Sequence, residues 1–170
     1  METKIENSTE AIDKLRDLVN DVTVCMFTTV DDNGAVTTRP MTTIDCDEDG
    51  NLWFFTNEFG EKILEGCYDN NVYLIYSHPG KNTYFHVTGT SNVIVDRIKI
   101  EKLWKPILKA WFPQGIADPK LCLIKVITEE AKYWNSTSNK MVVFYNMVKA
   151  IAKKEKYEEG EVGTLNLSPQ

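Results

Sequence analysis

Arginine, histidine and paired cysteines are scarce in this chain of 170 residues, and each scarcity argues against a class of function. The net charge is −6 and no basic stripe interrupts the acidic balance, so we expect no nucleic-acid partner. The four cysteines lie far apart with no C-x-x-C pair, which favours free thiols, buried or half-buried, over a metal site or a redox dithiol. The two histidines have no partners at the spacing of a metal site or catalytic triad.

Long apolar runs are also absent. Residues 1–6 contain no apolar stretch, which predicts neither a signal peptide nor an anchor, and no later segment approaches the length of a membrane span. We therefore expect a cytoplasmic protein with no membrane partner. The length suits a single domain over residues 1–170 with one buried core.

Strands dominate the predicted secondary structure. Strands are predicted at 22–30, 35–44, 51–57, 71–77, 83–95 and 120–127, with the last resuming at 131–134. Helices are predicted from Ser8 to Asn20, at 61–67, from Asp96 to Trp111 and at 140–153, before a charged tail. Tight turns between strands, with helices inserted rather than alternating, predict a mainly β fold: an antiparallel barrel with added helices.

The most informative motif is Arg39-Pro40-Met41, which is followed by an apolar strand and then by Lys62. Arg39 is one of three arginines and stands inside a β-favouring run, where a cation needs an anion nearby or an exposed face. Pro40 lacks an amide hydrogen and so marks a bulge or a strand edge. Lys62 lies in the first turn of a predicted helix, where free amides favour an anion. The motif predicts a site for a phosphate-bearing aromatic ligand.

Several aromatic residues have two possible roles. Phe55 suits the core by itself, whereas Thr56 ends its strand, where the hydroxyl and amide groups can face a ligand. Trp111 and Phe112 belong to a helical stripe that is typical of a packing face or an interface. Trp134 follows the last main strand, and both packing and ligand contact remain open for it.

Three blocks resemble pyridoxamine 5'-phosphate oxidase-like FMN-binding split barrels: Thr38-Arg39-Pro40-Met41, Leu52-Trp53-Phe54-Phe55-Thr56-Asn57 with Lys62, and Tyr84-Phe85-His86-Val87-Thr88-Gly89. A later block, Ala110-Trp111-Phe112-Pro113-Gln114-Gly115, is similar to the general stress protein branch. The resemblance implies a six-stranded antiparallel split β-barrel, with a core at 8–135 and a C-terminal helix and tail at 136–170. It also implies a homodimer with FMN at the subunit interface.

The resemblance implies roles for individual residues. By this resemblance, Arg39 and Lys62 bind the phosphate. Phe55 and Thr56 contact the ligand at the end of their strand, and Met41 lies near the flavin ring. The remaining cofactor-binding candidates are Pro40, Asn57 and Trp134. We assign no catalytic side chain and no metal ligand, because a flavin ring performs the redox chemistry itself.

The chain departs from the oxidase at two places. Gly60 and Glu61 stand where the oxidase carries serine and arginine, so an acid replaces one phosphate-binding cation. The run 135–139 replaces the oxidase's C-terminal Arg-x-His element, so vitamin B6 oxidation is not expected.

Two functions remain open. The first is an FMN-binding flavoprotein of the general stress protein type that acts as an oxidoreductase on an unknown small substrate. The second is a flavin-binding or sequestering protein without turnover, or a split barrel that holds haem or another cofactor, for which only His78 and His86 could be ligands. FMN is favoured over FAD because the chain has no Gly-x-Gly-x-x-Gly loop for a pyrophosphate.

Overall fold

The computed structural model describes residues 3–6, 9–57, 67–135 and 161–167. In chain order its elements are β1 (Thr3–Glu6), α1 (Thr9–Asp21), β2 (Val24–Asp31), β3 (Val36–Cys46), β4 (Leu52–Thr56), β5 (Cys67–His78), β6 (Thr83–Ile94), α2 (Arg97–Leu103), β7 (Cys122–Asn135) and β8 (Glu161–Asn166). Short 3-10 helices lie at Pro79–Lys81, Pro106–Ala110 and Gly115–Ala117. The six predicted strands are confirmed, with ends shifted by a few residues. Neither described helix is long and apolar enough to cross a bilayer.

Six strands close into an antiparallel barrel. They follow the order β7-β4-β3-β2-β5-β6, and β6 pairs again with β7 to complete the cylinder. All of these pairings are antiparallel, and the short turns that join β2 to β3, β3 to β4 and β5 to β6 require this for those three pairs. The predicted six-stranded antiparallel barrel is therefore confirmed.

Aromatic side chains fill the barrel interior. Phe27 and Phe54 meet edge to face with centroids 5.4 Å apart, and Tyr76 stacks on Phe85 at 4.2 Å. The Tyr76 hydroxyl is satisfied by a 2.7 Å hydrogen bond with the Thr43 hydroxyl, so its burial leaves no unpaired polar group. Helix α1 buries its apolar face in the same core, namely Ala11, Leu15, Leu18 and Val19.

The prediction of one long helix from Asp96 to Trp111 is wrong. Helix α2 does begin after Asp96, whose carboxylate accepts hydrogen bonds from the amides of Ile98 and Lys99, but it ends at Leu103. Pro106 explains the stop, because proline cannot donate an intrahelical hydrogen bond and forces the preceding residue into an extended conformation. The chain then resumes as the 3-10 helix Pro106–Ala110, which lies near the candidate site.

The C-terminal part of the sheet also differs from the prediction. β7 runs without the expected interruption, and it contains a bulge at Glu129, which lies between the pairs Thr88–Glu130 and Gly89–Thr128 in the register with β6. The charged tail contains β8, which pairs antiparallel with β7 and parallel with the unexpected β1. Gly163 permits this pairing, since a Cβ there would lie 2.5 Å from the buried Tyr133 ring. Most of the helix predicted at 61–67 and all of that at 140–153 lie outside the described residues, and Cys67 belongs to β5.

Candidate ligand-binding site at the split between two strands

The barrel opens between β3 and β4. Their pairing ends at Thr43 and Phe54, next to a bulge at Ile44. The same register, if continued, would place three more pairs opposite each other: Thr42 with Phe55, Met41 with Thr56, and Pro40 with Asn57. Instead, the last two residues of β4 pair only with β7 among the described residues. One edge of β3 thereby loses its partner strand, and Pro40 suits that edge because it has no amide hydrogen to leave unpaired.

An apolar cavity of about 120 Å³ lies at this split. It is lined by Pro40, Met41, Thr42, Ile44, Phe55, Leu108, Trp111 and Phe112, none of which is ionisable. The 3-10 helix Pro106–Ala110 and the two residues after it form the wall opposite β3. Phe55 ties this wall to the barrel, because its ring contacts Trp104 edge to face at 5.6 Å and Phe112 at 6.2 Å.

Arg39 differs from the other two arginines in its surroundings. Arg16 bonds to the Asp13 carboxylate at 2.7 Å and to two backbone carbonyls. Arg97 donates to the carbonyls of Asp118 and Pro119 at 3.0 and 2.9 Å. Arg39 is half-buried on β3, and within the described parts of the chain it has no hydrogen bond or ion pair. Arg39 directly precedes Pro40, which lines the cavity, and among the described residues its guanidinium donors are available for an anion.

Six of the eight predicted cofactor-binding residues lie on the two edges of the split: Arg39, Pro40, Met41, Phe55, Thr56 and Asn57. Asn57 is half-buried, and its backbone carbonyl accepts a hydrogen bond from the Cys122 thiol at 3.4 Å. Lys62, Gly60 and Glu61 lie within residues 58–66, outside the described part of the chain. Ligand binding by these residues stays a prediction.

Trp134 lies on a different surface from the cavity. It is 44% exposed on β7, opposite Tyr84 of β6, and its ring centroid is 6.1 Å from that of His86. Burial lowers the pKa of His86, and the positive charge of Lys132 lowers it further against the opposing charge of Glu130, so the net shift favours the neutral imidazole. Neither His86 nor His78 lines the cavity at the split.

The surface around Trp134 is an apolar patch that the sequence analysis missed. We call it the outer face, and it comprises side chains exposed by 39–65%: Val24, Met26, Val36, Tyr73, Ile75, Tyr84 and Trp134. Strand register joins them, since Met26 is opposite Ile75 and both belong to strands of the barrel wall. A signal was available, because β2 and β5 are apolar on both faces, a pattern typical of strands covered on both sides.

A six-stranded antiparallel barrel in which the β3–β4 pairing ends early next to a cavity defines the split-barrel fold class. The family model described as "Pyridoxamine 5'-phosphate oxidase like" matches residues 10–158. The chain belongs to this family, as the sequence motifs predicted.

Solved structures share the fold over most of the chain. A candidate general stress protein 26 from Jannaschia sp. CCS1 is 23% identical, with a TM-score of 0.72 over 94% of this chain and 99% of that one. A general stress FMN/FAD binding protein from Xanthomonas citri is 26% identical, with a TM-score of 0.62 over 78% and 93%. A Clostridium acetobutylicum protein related to general stress protein 26 is 22% identical, with a TM-score of 0.62 over the same fractions.

One curated relative is protein bli-3 from Neurospora crassa, which is 29% identical over 96 residues. The matched stretch covers 52% of this chain and 46% of that protein, so the chain spans about half the length of this relative.

Proposed function

We propose that this protein binds FMN at the split, with Arg39 holding the phosphate and the apolar cavity holding the ring, between two copies of the chain. The unpaired guanidinium of Arg39 is the observation that carries the proposal. A half-buried cation that has no partner among the described residues, next in the chain to a cavity lined by uncharged side chains, suits a ligand with an anionic end and a flat apolar end. The family and the flavin-binding neighbour from Xanthomonas citri support the same conclusion.

Spacing along β3 supports a ligand of this shape. Arg39 and Met41 are two residues apart and so share a strand face, with a separation of about 7 Å along the strand. In FMN a five-carbon ribityl chain separates the phosphate from the ring system. One arginine and an uncharged wall suit a monophosphate better than the pyrophosphate of FAD. Lys62, the second phosphate-binding residue that we predict, follows the end of β4 in the chain.

The outer face supports the dimeric part of the proposal. Pro40, which lines the cavity, is opposite Met26 of the outer face, so the cavity borders this patch. A second copy docked there by two-fold symmetry would cover both apolar surfaces and bring its own Trp134 towards the split. We therefore keep Trp134 as a cofactor-binding residue contributed by the partner. The dimer is proposed to act in the cytoplasm.

The proposal also includes catalytic turnover, beyond flavin binding. When bound, the flavin ring supplies redox chemistry, while the chain binds and orients it and excludes water with aromatic side chains. We propose an oxidoreductase that acts on a small substrate. Oxidation of reduced nicotinamide by the FMN-loaded protein would support turnover, whereas flavin binding without oxidation of any tested donor would favour sequestration. Neither histidine lines the cavity at the split, whereas His86 lines a groove of about 620 Å³ on the outer face, so a histidine-ligated haem would bind there and not at the split.

The phosphate role of Arg39 is tested by calorimetric titration of FMN, riboflavin and FAD. Arg39→Ala should weaken FMN binding by roughly ten- to a hundredfold, the cost of about 1.5–3 kcal/mol for a hydrogen bond to a charged group. Arg39→Lys should recover part of this loss, since it keeps the charge without the planar fork. Riboflavin, which lacks the phosphate, should bind wild type and Arg39→Ala equally.

Arg16→Ala is the matched control, because Arg16 is already engaged by protein groups and should leave FMN affinity unchanged. An equal loss for riboflavin and FMN in Arg39→Ala would show that Arg39 does not clamp the phosphate. FAD binding tighter than FMN, or the absence of any flavin binding, would refute the proposed ligand.

A further inference from the structure

Trp111 is the most exposed of the four tryptophans, at 64%, and it lines the cavity at the split. Its backbone is nevertheless fixed. The amides of Trp111 and Phe112 both donate to the carbonyl of Leu108, at 3.0 and 2.9 Å. The exposure of the indole therefore belongs to a hydrogen-bonded turn and does not result from an unattached end of the chain.

The turn that carries Trp111 is anchored to the barrel at several points. Leu108 is buried in the same apolar cluster as Phe55, and Phe112 packs against that cluster. Before the turn, the Lys105 ammonium reaches the carbonyl of Ile44 on β3 at 3.5 Å. The wall opposite β3 is thus held in place on both sides of Trp111, while the indole itself contributes little to the core.

We propose that Trp111 is the specificity-determining residue of the site, stacking on the flat, uncharged ring of the ligand. This inference rests on the proposed function, and the ring is then the isoalloxazine of FMN. Indole faces favour offset stacking on other planar rings, and none of the described side chains that line the cavity is ionisable. A ring there would also cover an apolar surface that the described residues leave open to water.

The volume of the cavity indicates that it holds only part of the ligand. The cavity, at about 120 Å³, is smaller than the roughly 300–1,000 Å³ of typical ligand sites. This volume is smaller than a three-ring isoalloxazine, so the cavity covers only the part of the ring that stacks on Trp111, and the proposed phosphate position lies outside it, towards Arg39 on β3. Trp111 therefore contributes affinity for the ring, whereas Arg39 contributes affinity for the phosphate. Ligands that carry only one of these groups can separate the two contributions.

The test uses lumiflavin, which is the ring without the ribityl phosphate, together with FMN. Affinities are measured on the full chain for wild type, Trp111→Ala, Trp111→Phe and the control Ile107→Ala. Ile107 is 67% exposed on the same turn and does not line the cavity. Trp111→Ala should weaken lumiflavin and FMN alike, by roughly three- to tenfold. Trp111→Phe and Ile107→Ala should stay within about twofold of wild type.

A second readout separates stacking from a structural role. Flavin emission is quenched by a stacked indole, so flavin bound to Trp111→Ala should fluoresce more strongly than flavin bound to wild type or Ile107→Ala. Unchanged lumiflavin affinity and emission in Trp111→Ala, or no lumiflavin binding to wild type, would overturn the inference. If wild type binds lumiflavin in a Trp111-dependent way but shows no preference for FMN over riboflavin, the phosphate site fails and the inference about Trp111 stands.

Discussion

Two cysteines show how the barrel interior controls the chemistry of single residues. Burial raises the pKa of the Cys25 thiol to about 12, against the opposing effect of hydrogen bonds with Tyr76 and Thr43. Burial likewise raises the pKa of Cys46 to about 12, although the positive charge of Arg16 opposes it. The thiolate is the reactive form of cysteine, so both thiols are unreactive at neutral pH. The prediction of buried free thiols is confirmed for Cys25, Cys46 and Cys122.

These shifts predict a loss of stability at alkaline pH. The folded-state pKa of Cys25, about 12, exceeds the ordinary value of 9.0, so its contribution is complete below pH 9 and falls as the pH rises towards 12. At pH 10.5 the loss should be about 2 kcal/mol for this thiol. Urea unfolding at pH 8 and 10.5 should show a smaller decrease for Cys25→Ala than for wild type. Equal decreases in the two proteins would contradict this account.

At the scale of elements, the β3–β4 turn fixes the pairing whose other end opens at the split. The Asp47 carboxylate accepts hydrogen bonds from the Asn51 amide at 2.9 Å, the Asp49 amide at 3.1 Å and the Trp53 indole at 2.8 Å. Burial alone would raise the pKa of Asp47, but these donors outweigh it and lower the pKa. Gly50 completes the turn at a φ of 81°, which a residue with a side chain rarely adopts.

Asp47→Ala should therefore destabilise the fold by about 1–2 kcal/mol, because four donors, including the Asn51 side-chain amide, lose their charged acceptor and the site is only partly buried. Glu48→Ala, at an exposed position in the same turn, should change stability by less than about 0.5 kcal/mol. The stabilising effect of Asp47 is present above the ordinary pKa of 3.8 and lost as the pH falls through the lowered folded-state value. Urea unfolding at pH 7 and pH 3 measures both effects. A cost for Asp47→Ala that persists undiminished at pH 3 would argue against the charged hydrogen bonds.

At the scale of the whole molecule, the outer face is the surface that the proposed dimer must cover. Ile75 is 49% exposed and lies between Met26 and His86 in the register of the sheet. Ile75→Glu would place a charge at an apolar interface and should convert the dimer into a monomer near 19.4 kDa in light scattering.

Ile98→Glu is the control for the dimer, because Ile98 is 81% exposed on α2 and lies outside the outer face. It should leave the dimer intact. A wild-type chain that is monomeric with saturating FMN, or an Ile75→Glu variant that stays dimeric, would refute pairing through this surface.

Local chemistry explains what could be predicted from the sequence. Alternation of apolar residues and turn residues such as Asp31 to Gly34 act over a few neighbours, and they located the six barrel strands and the start of α2. Pro106 carried an equally local signal for the end of α2, and the apolar stripe obscured it. The motif at Arg39 likewise pointed to the part of β3 that borders the split, because it combines residue types that conflict with an ordinary strand.

Strand pairing explains what only the tertiary structure decided. The early end of the β3–β4 register creates the split, and the pairing of β8 with β7 turns a charged tail into part of the sheet. The same barrel wall leaves the outer face exposed and places Trp134 on it, away from the cavity lined by Trp111. These features depend on contacts between residues far apart in the chain, whereas periodicity and turn residues report only on neighbours.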